Sequence, residues 1–505
     1  MGENQALLAR MDALCRRLYG KRAEHVNPAQ LALAFAELEK EEGAPGQPPA
    51  PEALVEADSG EAEGEAPAPA ESATRKRGHG RNRLPTHIPR RRVEHEPAPQ
   101  DCVCSGCKKP MARIGEEVSE QLDFRPASFE VVEYARGRYA CSTCKEGVTL
   151  APVPDKLVEK GVAAAGVIAQ VVTAKFADHL PLARQVGVYA REGVDLSRST
   201  LLGFVNVAAD LLLPVAKAIL ASILSTKDVH ADETTVRVRT LPRGSRTGYF
   251  WTYVAKRRGE APGESPLAEA FFEYTPTRGG SAPRRVLEHY EGFLHADAYS
   301  GDDECYASGK VVEIGCWAHA RRHVYDAMVT DPVAASSLLA LVGLLYDVER
   351  EAKDVTDAER LKMRQERSVP LLHRIGTKVA QLSGAALPKG PLAKALLYLV
   401  NQWQALMRYA ASGTLGIDNH PAERAIRHVA IGRRNFLIAG SEDGARRAAT
   451  RYTLTVSCKL AGVDTFEYLR DVLGRLSTTP QSRVAELTPR EWKAARERAA
   501  KTAAA

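Results

Sequence analysis

The sequence predicts a multidomain α/β protein, and three observations lead to this fold class. The chain has 505 residues, which is too long for one hydrophobic core and indicates about two to four domains. After Lys227 the spacing of apolar residues changes from helical to alternating, as it does where a sheet begins. Two pairs of cysteines upstream of this point have the spacing of a metal site.

Composition and charge suit a soluble protein that contacts polyanions. Hydrophobic residues make up 44% and charged residues 26% of the sequence, which is ordinary for globular domains. The net charge of +6 conceals separate acidic and basic tracts. No apolar run approaches the roughly 20 residues that span a bilayer, and the N-terminus lacks the basic and apolar regions of a secretory signal. We therefore expect no membrane anchor and a cytoplasmic protein.

The N-terminal region, 1–42, has the pattern of a short helical seam. Leu7, Met11, Leu14 and Leu18 are separated by alternating steps of four and three residues, the heptad spacing of a two-stranded coiled coil. The same spacing suits a helix that packs on its own chain, because two heptads are few for a coiled coil. Both interpretations stay open at this point.

A linker and a basic segment follow. Residues 43–74 are mainly Ala, Pro, Glu and Gly, with too few large apolar side chains to form a core. Residues 75–100 carry a basic run that includes Arg90, Arg91 and Arg92. Such a run can lie along a DNA backbone, where it releases counterions, or it can be a solvated tail.

Residues 101–150 contain the strongest local motif. Cys104 and Cys107 form one C-x-x-C pair, and Cys141 and Cys144 form a second. Four thiolates bind zinc in a closed tetrahedral site, so we expect a structural zinc that stabilises a small domain; free thiols are the alternative. Cys102 lies close to this motif but lacks the two-residue gap to Cys107. The remaining cysteines are expected to be reduced thiols: Cys15, Cys305, Cys316 and Cys458.

A helical region, 154–226, contains a helix-turn-helix-like pattern. A helix over 182–192 is followed by Gly193 and then by Ser197, a favourable N-cap for a second helix. In a DNA-binding helix-turn-helix, the first residues of the second helix read base edges. Here those residues would be Arg198, Ser199 and Thr200, and a plain helical hairpin is the alternative.

Beyond Lys227 the predicted elements follow the order β-β-β-α-β-α-β-α, which is the order of RNase H-like cores. The strands are Val229–Arg239, Tyr249–Lys256, Ala270–Thr275, Phe293–Tyr299 and Val311–Cys316, with helices at Val286–Tyr290 and from Ala318 onward. Residues 331–413 are helical with no strand signal, and Pro421 opens another helix. We therefore expect an RNase H-like mixed sheet within 227–330 and 414–475, an all-α insertion between these segments, and a C-terminal tail, 476–505.

The tripeptide His-Ala-Asp occurs twice, ending at Asp232 and at Asp297, each time in a strand-like run. Asp232 has the same parity as Val236 and Val238, so its carboxylate points toward the same side as these apolar residues. A half-buried carboxylate is costly unless it is paired or binds a metal. Two such carboxylates on neighbouring strands would bind a divalent cation such as Mg²⁺. The alternative is that each aspartate merely ends its strand.

Glu423 is the third candidate ligand. It follows Pro421 in the first turn of a helix, where the helix dipole alone also favours an acid. The surrounding sequence is rich in arginine, whose guanidinium forks suit phosphates, with only Glu442 and Asp443 as offsetting acids. The arginines are Arg424, Arg427, Arg433, Arg434, Arg446, Arg447 and Arg451.

Sequence motifs typical of one known family extend over nearly the whole chain. They lie at 18–21, 84–90, the zinc unit, 177–182, 196–200, 230–234, 316–322 and 418–424. In these blocks the chain resembles the insertion sequence 66 family of bacterial transposases, in its long catalytic subunit, transposase C. The resemblance implies an RNase H-like enzyme with an Asp, Asp, Glu triad, which falls on Asp232, Asp297 and Glu423. His420 stands where the family usually has Asn.

The resemblance also implies cofactors and partners. Mg²⁺ or Mn²⁺ would bind the triad, and zinc would be structural. The partners would be double-stranded DNA, as terminal repeats and as target, and further copies of the chain in at least a dimer, together with small accessory proteins. The chain would act at the bacterial nucleoid.

Further residues are expected to support the catalytic site or to contact DNA. His230 and His295 would orient the aspartates through hydrogen bonds, and His319 and Arg322 would lie beside the site. The DNA contacts would come from Arg90, Arg91, Arg92, Arg198, Ser199, Thr200, Arg424, Arg427, Arg433 and Arg434.

Two other functions remain compatible with the sequence. One is a DNA-binding regulator whose RNase H-like domain is inert, and metal-dependent strand cleavage separates it from an enzyme. The other is a nuclease that cuts without joining, and it would yield no insertions.

Overall fold

The structure is a computed structural model. It describes Phe129, 138–140, 148–150, Leu157, 163–240, 244–257, 267–297, 303–384 and 386–504. The predictions for the N-terminal seam, the linker, Arg90, Arg91, Arg92 and the four zinc cysteines therefore lie outside the described residues. Contacts divide the chain into two units, Met1–Pro45 with Glu133–Ala505 and Gly46–Val132. All elements below belong to the first unit.

A two-stranded hairpin opens the described part of the chain. Strand β1 (Arg138–Ala140) pairs antiparallel with β2 (Val148–Leu150), with Tyr139 opposite Thr149. In sequence, β1 ends directly before Cys141, and β2 begins four residues after Cys144. The second C-x-x-C pair thus lies between two paired strands.

Three helices follow: α1 (Ala165–Phe176), α2 (Leu182–Arg191) and α3 (Arg198–Leu224). The predicted N-cap is confirmed, because the Thr200 backbone N–H donates to Ser197 Oγ at 3.1 Å. Gly193 has a φ of 77° in the turn before α3, a conformation that favours glycine. The helix, turn and helix therefore lie where the sequence predicts them.

The sheet has five strands: β3 (Asp228–Arg239), β4 (Ser245–Arg257), β5 (Leu267–Thr275), β6 (Gly292–His295) and β7 (Val311–Ile314). Their spatial order is β5-β4-β3-β6-β7. β3, β4 and β5 are antiparallel neighbours, whereas β3, β6 and β7 run parallel. β3 is the central strand and joins the two halves.

The alternating pattern that predicts β3 is visible in its burial. Val236 and Val238 are buried, while Arg237 and Arg239 between and after them are exposed. The parallel register places His230 opposite His295. The first residues of the two His-Ala-Asp tripeptides are therefore side by side in the sheet.

Several predicted element boundaries differ from the structure. Strands β4 and β5 begin earlier than predicted, at Ser245 and Leu267, and β6 ends at His295 rather than at Tyr299. The helix expected at 286–290 is α4 (Ser281–Val286), whose first turn contains Pro283, a position that tolerates proline because its N–H has no helical partner. Strand β7 ends at Ile314 rather than at Cys316, because Gly315 N–H donates to Ala405 O instead of to a strand. A short helix, α5 (Asp303–Tyr306), precedes β7.

The segment between β7 and the last group of helices is helical. It contains α6 (Trp317–Ala327), α7 (Pro332–Glu351), α8 (Asp357–Met363), a π-helical turn (Arg364–Ser368), α9 (Val369–Ser383), α10 (Pro391–Asn401), α11 (Trp403–Arg408) and a 3-10 turn (Tyr409–Ala411). Within its described residues there is no strand. Leu345, Leu372 and Leu399 pack in one core with Trp317 of α6, so the later helices of this segment share a core with α6.

The chain ends with α12 (His420–Phe436), α13 (Glu442–Leu460), α14 (Thr465–Leu476), a 3-10 turn (Gln481–Leu487) and α15 (Pro489–Ala504). Helix α13 covers the outer edge of β5: Phe272 N–H donates to Thr453 Oγ1 at 2.9 Å, and Ala270 N–H to Ser457 Oγ at 3.1 Å. The predicted C-terminal tail, 476–505, contains this 3-10 turn and α15, and Trp492 of α15 is buried.

Two helices, α3 and α7, are long and apolar enough to cross a membrane by length and composition. The expectation that no run would meet this test is therefore wrong. However, Leu201, Val205, Leu212 and Ile219 of α3 are each at most 1% exposed. One face of α3 is therefore buried within the protein, and leucines of α7 lie in the helical core.

Candidate active site

Asp232 and Asp297 meet at the carboxyl ends of two parallel strands. Because His230 is the register partner of His295, the aspartates two residues further along also lie at one level. Asp232 lies within β3, whereas Asp297 lies two residues beyond the end of β6. Both line the same small cavity.

The two carboxylates are electrostatically unfavourable as anions. Burial, and then the neighbouring Glu233, raises the pKa of Asp232 to about 7, with further contributions from Glu423 and Asp297. Burial also raises the pKa of Asp297 to about 6, although Arg322 opposes this shift. A site that disfavours its own negative charge is suited to a cation that would neutralise it.

Glu423 reaches the aspartates from α12, in the turn that Pro421 opens. Its Oε1 atom is buried and accepts no hydrogen bond from any described residue. His319 of α6 lies between the acids, with Nε2 3.2 Å from Asp297 Oδ2 and Nδ1 3.7 Å from Glu423 Oε1. Burial lowers the pKa of His319 to about 4, so its ring is neutral at physiological pH. The structure thus brings together three acids that are far apart in the sequence.

The expected role of His230 and His295 in orienting the aspartates is wrong. Their rings stack on each other with centroids 4.0 Å apart. His230 Nδ1 lies 3.1 Å from Asn419 Oδ1, and His295 Nε2 lies 2.9 Å from Asp228 Oδ1. Residues two apart on a strand point to the same side of the sheet but do not touch. The two stacked rings therefore lie one step along the strands from the aspartates, and their contact links β3 to β6.

Asn419 is a site residue that the sequence analysis did not identify. It is fully buried, and its side chain donates to Ala231 O at 2.7 Å. Its backbone N–H contacts Cys316 Sγ at 3.3 Å. Asn419 therefore fixes the start of α12, and with it Glu423, against β3 and α6. The only sequence signal was its place within the 418–424 motif.

His420, the position where the chain departs from the family pattern, is bound to its neighbour. His420 Nδ1 lies 2.8 Å from Asp418 Oδ2, and this hydrogen bond raises the pKa of His420. The histidine is thus held beside Asp418 and leaves the geometry of Glu423 intact.

A cation also faces the cavity. Arg278, in the turn between β5 and α4, lines the cavity together with Asp232 and Asp297. Its Nε donates to Glu233 Oε1 at 2.6 Å. Glu233 follows Asp232 directly, so this ion pair holds the guanidinium at the edge of the site. Nothing in the local sequence around Arg278 pointed to it, because the contact joins residues 45 positions apart.

The expected arginine surface divides into two groups. Arg424, Arg427 and Arg434 of α12 are exposed. Arg433 differs from the expectation, because its Nη1 donates to Thr235 O at 2.5 Å and to Thr234 Oγ1 at 3.2 Å. It ties α12 to β3 and has a structural role. Arg322 is exposed near Asp297.

The arginines of α13 are also engaged within the protein. Arg446 contacts Asp443 at 2.7 Å, and Arg447 contacts Asp210 of α3 at 2.8 Å. Arg451 is buried and donates to Val205 O at 2.7 Å. The sequence suggested a surface crowded by unpaired arginines, but tertiary contacts occupy these three.

At the start of α3, Arg198 and Ser199 are exposed and Thr200 is half-buried. The hydroxyls are part of the helix cap: Ser197 Oγ lies 2.7 Å from Ser199 Oγ and 2.9 Å from Thr200 Oγ1. One face of α3 is buried from Leu201 onward, whereas its first turn is open to a ligand at Arg198 and Ser199.

Comparison with known families gives four matches along the chain. The model of the transposase IS66 family matches residues 160–447. The zinc-finger binding domain of transposase IS66 matches 101–145, and the IS66 C-terminal element matches 453–490. A model described as transposase C of IS166 homeodomain matches 6–93. The first match contains Asp232, Asp297 and Glu423, and the second contains the four predicted zinc ligands.

The curated relatives carry no functional description. The uncharacterized protein y4hP of Sinorhizobium fredii is 33% identical over 432 residues, which are 82% of this chain and 77% of the relative. The uncharacterized protein y4jD of the same organism is 32% identical over 421 residues, 81% of this chain and 82% of the relative. No solved structure matches the chain significantly.

Proposed function

The chain belongs to the transposase IS66 family, and from this premise we propose that it cleaves DNA at the ends of an insertion sequence and joins those ends to target DNA. The observation that carries the proposal is the convergence of three acids: Asp232 and Asp297 line one cavity, and His319 lies between Asp297 and Glu423. The strand order β5-β4-β3-β6-β7, with β3 parallel to β6, agrees with an RNase H-like core.

The three acids fit a divalent cation. Desolvation, and then nearby acids, raise the pKa of Asp232 to about 7 and that of Asp297 to about 6, and Glu423 Oε1 is buried without a hydrogen bond among the described residues. Carboxylate oxygens of this kind are the preferred protein ligands of Mg²⁺ and Mn²⁺. When bound, such ions activate an attacking oxygen and stabilise charge on the phosphate.

The reaction has two steps of the same kind. In the first, the oxygen of water bonds to phosphorus and the bond to the 3′ oxygen of the element breaks, which leaves a 3′-hydroxyl. In the second, this 3′-hydroxyl bonds to a phosphorus of the target strand, and a target 3′ oxygen leaves. Each step therefore exchanges one phosphorus–oxygen bond for another and needs no covalent protein–DNA intermediate.

The residues around the triad position the acids and the phosphate. His319 separates Asp297 from Glu423 and keeps both acids at fixed places. Asn419 anchors the helix that carries Glu423. We assign Arg278 to the scissile phosphate, because its guanidinium faces the cavity of the aspartates and a guanidinium fork matches phosphate oxygens.

The remaining parts of the proposal concern the rest of the chain. The zinc-finger domain supports a structural zinc, and we propose Cys104, Cys107, Cys141 and Cys144 as its ligands. DNA is the partner of a transposase, and we propose that the basic segment, the first turn of α3 and the exposed arginines of α12 contact it. We further propose at least a dimer, since two element ends must be joined, and action in the bacterial cytoplasm at the nucleoid, with accessory proteins of the same element.

An insertion assay tests the proposed function. The chain is supplied in trans to a marker flanked by the ends of its own element, and new insertions are scored for wild type and for Asp297→Asn. We expect insertions from wild type and none from the variant, because the amide removes a negatively charged ligand. Retained insertions with Glu423→Gln would remove Glu423 from the triad.

A cleavage assay on end-containing duplexes separates the alternatives. Nicking that requires Mg²⁺ and is followed by joined products supports the transposase. Nicked products without joining would favour a nuclease, and the absence of any nicking, even with the neighbouring genes of the element supplied, would favour an inert DNA-binding regulator.

A further inference from the structure

Helix α12 presents a cationic stripe that starts at the catalytic acid. At about 100° per residue, Glu423, Arg427 and Arg434 lie within roughly 40° of one another around the helix, and Arg424 and Ile431 lie next to them on one side. The three arginines are exposed, and within the part of the chain that the structure describes none forms an ion pair with a carboxylate. From Glu423 to Phe436 the stripe is about 20 Å long.

The stripe ends in a strained turn. Leu437 has φ 62° and ψ −47°, and Ile438 N–H donates to Phe436 O at 2.7 Å across it. These values describe a γ-turn of the positive-φ type, which is rare and strained for a residue with a side chain. Leucine is therefore an unfavourable choice at this position for the backbone alone.

Contacts on both sides hold this turn in place. Before it, Phe436 packs on Phe176 of α1 with ring centroids 6.3 Å apart. After it, Ala439 pairs with β3: Ala439 N–H donates to Arg237 O at 2.8 Å, and Arg239 N–H donates to Ala439 O at 2.9 Å. The turn is thus fixed relative to the sheet that carries Asp232.

The side chain at the turn points into solvent. Leu437 is 71% exposed, and Ile438 and Ile431 are 41% and 38% exposed. Apolar side chains at the end of a row of arginines neither fill a core nor help solubility. Strain and exposure at the same residue therefore indicate a role with a ligand.

We propose that duplex DNA lies along the arginine stripe and that Leu437 inserts between its base pairs as a wedge. The arginines match the phosphate backbone in charge, and apolar wedges are used by DNA-bending proteins to unstack and kink a base step. At about 3.4 Å per nucleotide, the stripe spans about six nucleotides from the scissile phosphate. The proposal deepens the proposed function and rests on it.

Fluorescence of 2-aminopurine tests the wedge without relying on catalysis. A duplex of the element's own terminal sequence carries the probe at one of positions four to eight from the cleaved phosphate, and the full chain binds it in Ca²⁺. The variants are Leu437→Ala and, as a control, Leu387→Ala, which removes a leucine that is 78% exposed outside the stripe. Binding is measured in parallel by anisotropy.

We expect wild type and Leu387→Ala to raise the probe fluorescence by about threefold at one or two positions, because an unstacked base is no longer quenched. Leu437→Ala should abolish this rise, while its DNA affinity changes by less than about threefold, since phosphate contacts dominate affinity. Transposition by Leu437→Ala should fall by about tenfold. A fluorescence rise that survives in Leu437→Ala would overturn the wedge.

Leu437→Gly provides a second measurement. Glycine adopts positive φ without strain, so the melting temperature should stay the same or rise. A fall of several degrees would show that Leu437 stabilises the fold and would overturn the proposal. Wild type that binds and unstacks the duplex but never cleaves it in Mg²⁺ would contradict the proposed function and leave the wedge supported.

Discussion

Single residues set the chemistry of the site. Asp232 is held in a buried position beside Glu233, and its pKa is raised to about 7. The protonated form of Asp232 is therefore the stable one in the metal-free protein below that pH. Because folding raises this pKa, Asp232 contributes to stability at low pH. This contribution is lost as the pH rises from the ordinary pKa of an aspartate toward about 7.

The pH dependence of stability checks this assignment. We expect the melting temperature of the metal-free protein to fall between pH 4.5 and pH 7.5, and Asp232→Asn to fall less, because the amide carries no charge to bury. At pH 7.5 the variant should melt several degrees higher than wild type, and Mg²⁺ should stabilise wild type alone. The melting temperatures are measured by differential scanning calorimetry. If they fall equally with pH in both proteins, the charge on Asp232 does not destabilise the fold.

Arg278 and Arg285 form a matched pair for testing phosphate recognition. Both are exposed arginines paired with a glutamate, Arg278 with Glu233 and Arg285 with Glu273, but only Arg278 lines the cavity of the aspartates. Arg278→Ala should slow strand cleavage by about a hundredfold or more, because a charge-stabilising donor is lost. Arg285→Ala should leave the rate within about twofold.

Single-turnover cleavage of an end-containing duplex measures both variants, and DNA binding in Ca²⁺ is recorded beside it. Lysine at position 278 should restore part of the rate, since it keeps the charge but lacks the fork. Equal rates for the two alanine variants would remove Arg278 from the site.

Secondary-structure elements bring these residues together through close packing. Helix α12 carries Glu423 and lies directly on α13, where a Cβ at Gly432 would be 2.4 Å from Tyr452 Oη. Tyr452 cannot move aside easily, because it is 3% exposed and contacts Phe176 with ring centroids 5.2 Å apart. The glycine thus allows the approach of the two helices that positions Glu423.

Gly432→Ala tests this packing at the scale of the element. The methyl group should cost about 1–3 kcal/mol through overpacking, partly offset by the better helix propensity of alanine. The matched control is Gly203→Ala in α3, where nothing lies within 4 Å of the added Cβ. It should stabilise the protein by about 0.5–1 kcal/mol. Urea unfolding measures both, and a neutral Gly432→Ala would show that α12 can shift without cost.

At the scale of the whole molecule, the zinc-finger match and the main family match cover successive parts of the sequence. The zinc-finger match ends at residue 145, and the main family match begins at residue 160. The buried residues of the described sheet and helices run from Ile168 to Trp492, after the zinc-finger match in the sequence. We expect loss of zinc to act on DNA binding more than on the folding of the sheet.

Cys107→Ser tests this separation. Metal analysis of the purified full chain should fall from one zinc per chain to none, because three thiolates bind zinc weakly at neutral pH. The affinity for end-containing DNA should fall about tenfold or more, while the main thermal transition of the sheet is kept. Zinc content that is unchanged in Cys107→Ser would exclude this set of four ligands.

Much of the fold and the site follows from local sequence. Alternation predicts β3 correctly because its two faces differ in burial, and Ser197 predicts the start of α3 because a cap acts within one turn. The repeated His-Ala-Asp tripeptide marks Asp232 and Asp297, since a carboxylate in register with valines needs a partner. Each of these signals lies within a few residues, where the sequence itself sets the geometry.

Tertiary structure decided the rest, because it depends on residues that are distant in the sequence. His230 and His295 stack beneath the aspartates rather than orienting them, and Asn419 contacts His230 across 189 positions. Arg433 is bound to β3, whereas Arg278 faces the cavity. Sequence alone identified which chemical groups were present, but only the pairing of distant strands and helices determined which of them touch, since contacts of this range are fixed by the fold and not by local pattern.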